Sequence, residues 1–255
     1  MKIAVCIKQV PATDTRLKIS PSGTSIDYTD VTMVVNPYDE YAVEAALKLK
    51  EAHGGETVVI ALGPEKAAEA IRTCLAMGMD KAIHITTGEV VGPDSLSTAR
   101  ALVEILKRDA YDVILFGKQA VDDDNGAVGI QVAELLGWPH VSIVTKIEIA
   151  ADGKSGKFER EVEGGVDVVE SSLPVVITAQ KGLNEPRYPS LPGIMKAKTK
   201  SLEKIDGNAL MGEKTVMWES LTLPLGRKAG QVVNGDAQTS VDAIMKYLRE
   251  ELKVL

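Results

Sequence analysis

The chain has 255 residues, 45% hydrophobic and 25% charged, an ordinary globular composition with enough length to bury a sizeable core. Its 29 Lys and Arg against 36 Asp and Glu leave a net charge of -7, which supplies no electrostatic footprint for nucleic acid or for an anionic membrane surface. Its 2 cysteines, Cys6 and Cys74, lie far apart in apolar runs without a CxxC pair, so a disulfide framework and a zinc site have no support and both read as small buried hydrophobes.

The first apolar run, Ile3 to Val10, has strand length, and Leu17–Ile19 with Ser25–Asp27 reads as a small hairpin. Asn36-Pro37 then opens a helix, with Asn36 placed to cap it and Pro37 tolerated in the first turn; it runs through Ala42, Leu47 and Leu49 to His53 and stops at Gly54-Gly55. Strand Thr57–Leu62, helix Ala67–Met77, strand Ala82–Thr86, helix Ser95–Arg108 and strand Val113–Phe116 follow in alternation. That alternation predicts an α/β fold with a mostly parallel, Rossmann-like nucleotide-binding sheet, whose ligands bind at the carboxyl ends of its strands. After the helix Ile130–Leu136, four segments, Val141–Ile149, Lys157–Glu163, Val166–Glu170 and Val175–Thr178, read as strands without helices between them, an antiparallel extension.

From Lys181 the regular pattern fades. The stretch NEPRYPSLPGIMKAKTK packs three prolines among basic residues, which argues against a regular helix or a central strand. Residues 1–200 are therefore expected to form the nucleotide-binding domain with a braced loop at 184–200. Residues 201–255 form a C-terminal arm, in which Gly207 to Asn234 is too sparse in apolar residues to build a core and Ser240–Leu252 alone looks helical, capped by Ser240. Such an arm needs a surface to lie on. No apolar run reaches the roughly 20 residues that span a bilayer, and MKIAVCIKQV lacks the order of a signal peptide, so a bacterial or archaeal cytoplasm is the expected location.

The loop GKQAVDDDNGAVG, Gly117 to Gly129, follows a strand and leads into a helix, where unpaired N–H groups and the dipole favour an anion. Asp122, Asp123 and Asp124 would repel a phosphate unless they turn aside, cap the helix or bind ribose hydroxyls; a solvated acidic turn would use the same residues. The fingerprints GxxxxGK[ST] and GxGxxG are both absent. A second candidate is the turn Asn36-Pro37-Tyr38-Asp39, whose polar side chains suit either adenine and ribose contacts or capping. His53, His84 and His140 show no catalytic or metal-ligand spacing, so no catalytic residue is assigned. In the braced loop, Tyr188, Leu191, Ile194 and Met195 precede Lys196, Lys198 and Lys200, a pattern that suits either partner recognition or a wrap around its own domain.

Four blocks carry a resemblance over nearly the whole chain: the strand ending VCIKQV, NPYDEYAVEAALKLKE from Asn36, the GKQAVDDD loop, and FEREVEGGVDVVESSLPVVITA followed by LNEPRYPSLPGIMKAK. In these the chain resembles the electron transfer flavoprotein β (small) subunit. The resemblance implies a heterodimer with a larger α subunit that holds most of a redox-active FAD, and a structural AMP in the β subunit's own adenine-nucleotide hydrolase-like sheet. Carried over by position, the nucleotide contacts fall on Cys6, Asn36, Pro37, Tyr38, Asp39, Leu62, Gly63, Gly117, Lys118, Gln119, Ala120, Val121, Asp122, Asp123, Asp124, Asn125, Gly126, Ala127 and Val128.

The family's recognition loop falls on Arg187 to Lys200 with Leu191 as anchor, alongside Tyr188, Ile194, Met195 and Lys196, and Glu161 matches a carboxylate that steers the mobile flavin domain. The implied partners are acyl-CoA or related dehydrogenases and a membrane quinone-linked oxidoreductase; the chain would then be an electron-carrier subunit and not an enzyme. Val128 departs from the threonine of AMP-binding members and, like NPYDEYAVE, is closer to bifurcating members with a second FAD that accepts hydride from NADH, whereas NEPRYPSLPGIMKAK is the form of single-flavin members, so the resemblance favours AMP. The sheet pattern by itself also suits a stand-alone adenine-nucleotide-binding module.

Overall fold

Runs such as KIAVCI and VVITA are buried along almost their whole length, which suits strands covered on both faces. The computed structural model describes residues 1–88, 92, 94–226, 230 and 232–255. Among these residues the elements are β1 (Lys2–Ile7), β2 (Gln9–Pro11), β3 (Lys18–Ile19), β4 (Ile26–Asp27), β5 (Met33–Val35), α1 (Pro37–His53), β6 (Glu56–Gly63), α2 (Ala68–Met77), β7 (Lys81–Thr86), α3 (Ser95–Leu106), β8 (Val113–Gly117) and α4 (Val128–Leu136). Then come β9 (His140–Ile149), β10 (Ser155–Val162), β11 (Gly165–Ser172), β12 (Val175–Ala179), α5 (Leu191–Ala197), β13 (Leu202–Asp206) and α6 (Ala237–Lys246).

The main sheet has the order β11-β10-β9-β12-β8-β1-β6-β7-β13. From β9 to β13 every neighbouring pair is parallel, and β10 and β11 add an antiparallel edge. The α/β expectation of a mostly parallel sheet with an antiparallel extension therefore holds. Helices α1, α2 and α5 pack on one face and α3 and α4 on the other, each over its own apolar cluster.

Several local expectations are corrected. The run Ile3 to Val10 breaks at Lys8, because the Lys8 amide turns to the Asp39 carboxylate at 2.7 Å, and β2 pairs with β5 outside the main sheet. Asn36 does not cap α1 with its side chain; its carbonyl accepts from the Asp39 amide at 2.8 Å, and its carboxamide is used elsewhere. Segment 175–179 is not part of the antiparallel extension: β12 is inserted between β8 and β9, parallel to both, and its five residues are all buried.

The braced loop does contain a helix, α5. Ser190 caps it by accepting from the Gly193 amide at 3.1 Å, and Pro192 sits in the first turn, where a missing N–H leaves no carbonyl unpaired. Segment 202–206 forms edge strand β13, so the sheet extends past residue 200. The helix near the C-terminus is capped by Asp236, which accepts from the Thr239 amide at 2.8 Å, and not by Ser240.

The chain divides into two units, Met1–Leu221 and Thr222–Leu255. The first contains the whole sheet. The second contains α6, of which no residue is buried, and its exposed apolar residues include Leu225, Val232, Val241 and Ile244. Part of the sparse stretch Gly207 to Asn234, at 227–229 and 231, lies outside the described residues.

Candidate functional site

The carboxyl ends of β1, β6 and β8 and the starts of α3 and α4 enclose an open cleft of about 800 Å³ including the space at its mouth. Asp39, in the first turn of α1, builds its floor. The buried carboxylate accepts from the Lys8 amide at 2.7 Å and from the Gly117 amide at 2.9 Å, which joins the ends of the neighbouring strands β1 and β8. Burial pushes the Asp39 carboxyl up to about 7, against the opposing pull of those N–H bonds and of Asn36. A methyl group at Gly117 would lie 2.7 Å from the Tyr38 carbonyl carbon, so the close approach of β8 to α1 requires glycine.

The Asn36 carboxamide organises the next stretch. Its Nδ2 donates to the Gln119 carbonyl at 2.8 Å and its Oδ1 accepts from the Val121 amide at 3.1 Å. Beyond it, all three aspartates are engaged. The Lys8 Nζ pairs with Asp122 at 2.8 Å and Asp123 at 3.0 Å, while Gln119 Nε2 donates to Asp124 at 2.6 Å. Despite partial burial, these two carboxylates hold the Lys8 ammonium above the ordinary lysine range. The turn then closes through positive φ at Asp124 (51°) and Gly126 (63°).

Among the described residues no side chain caps the first turn of α4, and Gly126, Ala127, Val128 and Gly129 line the cleft. Helix α3 begins differently. Asp94 caps it from the Ser97 amide at 3.1 Å and also accepts from the Thr215 amide and hydroxyl, which against burial hold its carboxyl well below the usual range. What α3 presents to the cleft is Ser95, Thr98 and Leu102. The cleft thus combines an uncapped helix N-terminus, nearby hydroxyls and an apolar wall.

Of the residues expected from sequence, Cys6, Asn36, Asp39, Leu62, Gly117, Lys118, Gln119, Ala120, Asp123, Asn125, Gly126, Ala127 and Val128 line the cleft. Pro37 and Tyr38 sit behind it at the start of α1, with Lys118 Nζ 4.9 Å above the Tyr38 ring. Val121, Asp122 and Asp124 are held in the loop, and the Gly63 carbonyl faces the buried His84 Nε2 at 3.1 Å. Sequence reasoning missed Ile7, Lys8, Gly92, Ser95, Thr98, Leu102 and Phe116, whereas Gly129 closes the expected loop. The signal for Lys8 was its place at the carboxyl end of the first strand, and for Ser95 and Thr98 the start of a helix after a strand. Among the described residues no group of His, Cys, Asp or Glu gathers to hold a metal ion, and no helix is long and apolar enough to cross a membrane.

Residues 24–210 match the model of the electron transfer flavoprotein domain. The electron transfer flavoprotein subunit beta of Bacillus subtilis is 40% identical over 248 residues, covering 95% of this chain and 96% of the relative. The chain belongs to the electron transfer flavoprotein β-subunit family. The subunit beta of Syntrophomonas wolfei is 39% identical, covering 100% of this chain and 98% of the relative. The mitochondrial subunit beta of Arabidopsis thaliana is 37% identical with both chains fully covered. As a β-family flavoprotein subunit, the chain has an electron-transfer role.

The 187–200 segment, expected from the resemblance to be a recognition loop, is pinned at both ends. The Arg187 guanidinium grips the buried Glu44 carboxylate through Nε at 2.8 Å and Nη2 at 3.0 Å, and reaches Glu51 through Nη1 at 2.6 Å. Farther along, Arg72 donates to the carbonyls of Ala197 and Lys200, and Lys200 Nζ donates to those of Leu75 and Met79. Between these anchors Tyr188 is 94% exposed and Leu191 75% exposed, with Ile194, Met195 and Lys196 also on the surface. Glu161, on β10, accepts from Gln180 Nε2 at 2.8 Å.

Proposed function

We propose that this chain is the β subunit of a heterodimeric electron transfer flavoprotein that holds AMP in its cleft and docks donor dehydrogenases through the Leu191 segment. Electrons then pass from acyl-CoA-type dehydrogenases, through FAD held mainly by the α subunit, to a membrane quinone-linked acceptor. The observation that carries the AMP reading is the uncapped first turn of α4, lined by Gly126 to Gly129, at the carboxyl ends of β1 and β8.

FAD supplies the redox chemistry of the complex when bound. The chain's own contribution is positional. Asn36 and Asp39 hold the 117–121 stretch in register with α1, and the first-turn amides of α4 donate to a phosphate. Leu191, Ile194 and Met195 give a partner an apolar foothold on a segment already ordered by Arg187 and Lys200, so docking loses little chain entropy. The exposed apolar side chains of residues 222–255, within the 201–255 arm, gain their burial on the α subunit. The cytoplasm is the compartment this reading assigns.

Val128 favours a second reading, in which the cleft holds a second FAD and takes hydride from NADH, because it lines the cleft with an isopropyl group and no hydroxyl. Cofactor analysis of the purified heterodimer separates the two. One FAD plus released AMP per dimer is expected; two FAD and bleaching by NADH would discard AMP in favour of bifurcation. Tight ATP binding by a stable monomer of this chain alone would point to a free-standing nucleotide-binding module.

A further inference from the structure

Three aspartates in a row are an unlikely neighbour for a phosphate, and the fold answers this from a distant part of the chain. Lys8 follows β1 at the cleft. Its amide is held by Asp39 at 2.7 Å and its carbonyl accepts from the Asn36 amide at 2.9 Å, so the root of its side chain is fixed on both sides. From there Nζ bridges Asp122 at 2.8 Å and Asp123 at 3.0 Å, 114 and 115 residues away in sequence. Lys8 and Asp123 both line the cleft, and the Asp122 side chain is only 15% exposed against 33% for Asp123. The other lysine of the lining, Lys118, is placed over the Tyr38 ring.

We propose that Lys8 is a positioning residue of the cleft, the internal counter-ion that offsets part of the charge of Asp122 and Asp123 and thereby lets a phosphate monoester sit at the α4 N-terminus. This rests on the reading that the cleft binds AMP. Lys8 does not touch the phosphate; it weakens a repulsion and keeps the two carboxylates turned toward itself. The nucleoside part of the ligand is indifferent to it.

The test uses the full chain in complex with its α subunit, freed of bound nucleotide, with AMP and adenosine as probes. Lys8→Met is expected to weaken AMP on the order of tenfold and to leave adenosine within about twofold, whereas Lys8→Arg retains both. Adding Asp122→Asn and Asp123→Asn to Lys8→Met is expected to restore AMP binding. A loss that this double substitution fails to restore overturns the counter-ion role, because it means direct contact with the phosphate. Unchanged AMP affinity in Lys8→Met, with the unsubstituted complex binding AMP, overturns the role of Lys8 alone. If the unsubstituted complex binds neither probe, the nucleotide reading falls and the proposal with it. Should Lys8→Met not assemble, Asp122→Asn/Asp123→Asn with Lys8 intact is expected to bind AMP several-fold more tightly, and no gain overturns the proposal.

Discussion

At Asp39 a single carboxylate does what a longer loop would otherwise have to do. Both oxygens accept strand-end amides, from Lys8 and Gly117, and the price is burial of an ionisable group whose folded pKa is raised to about 7. An unfolded aspartate titrates near about 3.9. The raised value means that the contribution is fully present below about pH 3.9 and is lost as pH rises through about 7. Asp39→Asn is expected to remove that dependence and to bring a pH-independent loss of about 1–3 kcal/mol, since one of the two amides would face an NH2 group. Urea midpoints at about pH 5 and about pH 8 check this; equal slopes in the two proteins would rule out titration of Asp39. The sequence placed Asp39 at the right turn, but the local grammar of a helix start favoured capping. Its real partners lie 31 and 78 residues away.

At the scale of elements, α5 shows how a helix can stand where proline density argues against one. Its signals were present in the sequence, a serine followed two positions later by proline, the order of an N-cap and first turn. The helix is short, and its stability comes from α2. Arg72 binds carbonyls at the end of α5, Lys200 binds carbonyls at the end of α2, and Gly193 lies against the Ala76 carbonyl, where a Cβ would collide. Two substitutions separate docking from support. Leu191→Ala is expected to slow electron transfer from a dehydrogenase while changing stability by less than about 0.5 kcal/mol, because the side chain is largely in solvent. Gly193→Ala is expected to slow transfer as well, but with a loss of about 1–3 kcal/mol as α5 is pushed from α2. Transfer rates and thermal midpoints measured side by side decide it: a Leu191→Ala protein that transfers normally removes this segment from docking.

At the scale of the molecule, the 222–255 unit cannot be self-sufficient. Its helix α6 buries no residue, and Val241 and Ile244 stand three positions apart on one face, both exposed. Val241→Ser with Ile244→Ser is expected to reduce co-purification with the α subunit and leave the thermal midpoint of the chain alone unchanged. Full recovery of the heterodimer would locate the α-subunit contacts elsewhere.

By itself the sequence determined the class of the sheet, the positions of most helices and strands, and the glycine-bounded loop that leads into α4. These follow from local quantities: apolar periodicity, glycine stops and the chemistry of helix starts. Only the tertiary structure decided that β12 is central, that β13 completes the sheet, and that Lys8, Asn36 and Asp39 meet the 117–124 stretch. The reason is strand order. β1 lies beside β8, more than a hundred residues later in the chain, and their parallel register, Ile3 opposite Val113, brings two unrelated loops to one edge. No periodicity within either loop carries that information, so the charge balance of the cleft became visible only once the sheet was assembled.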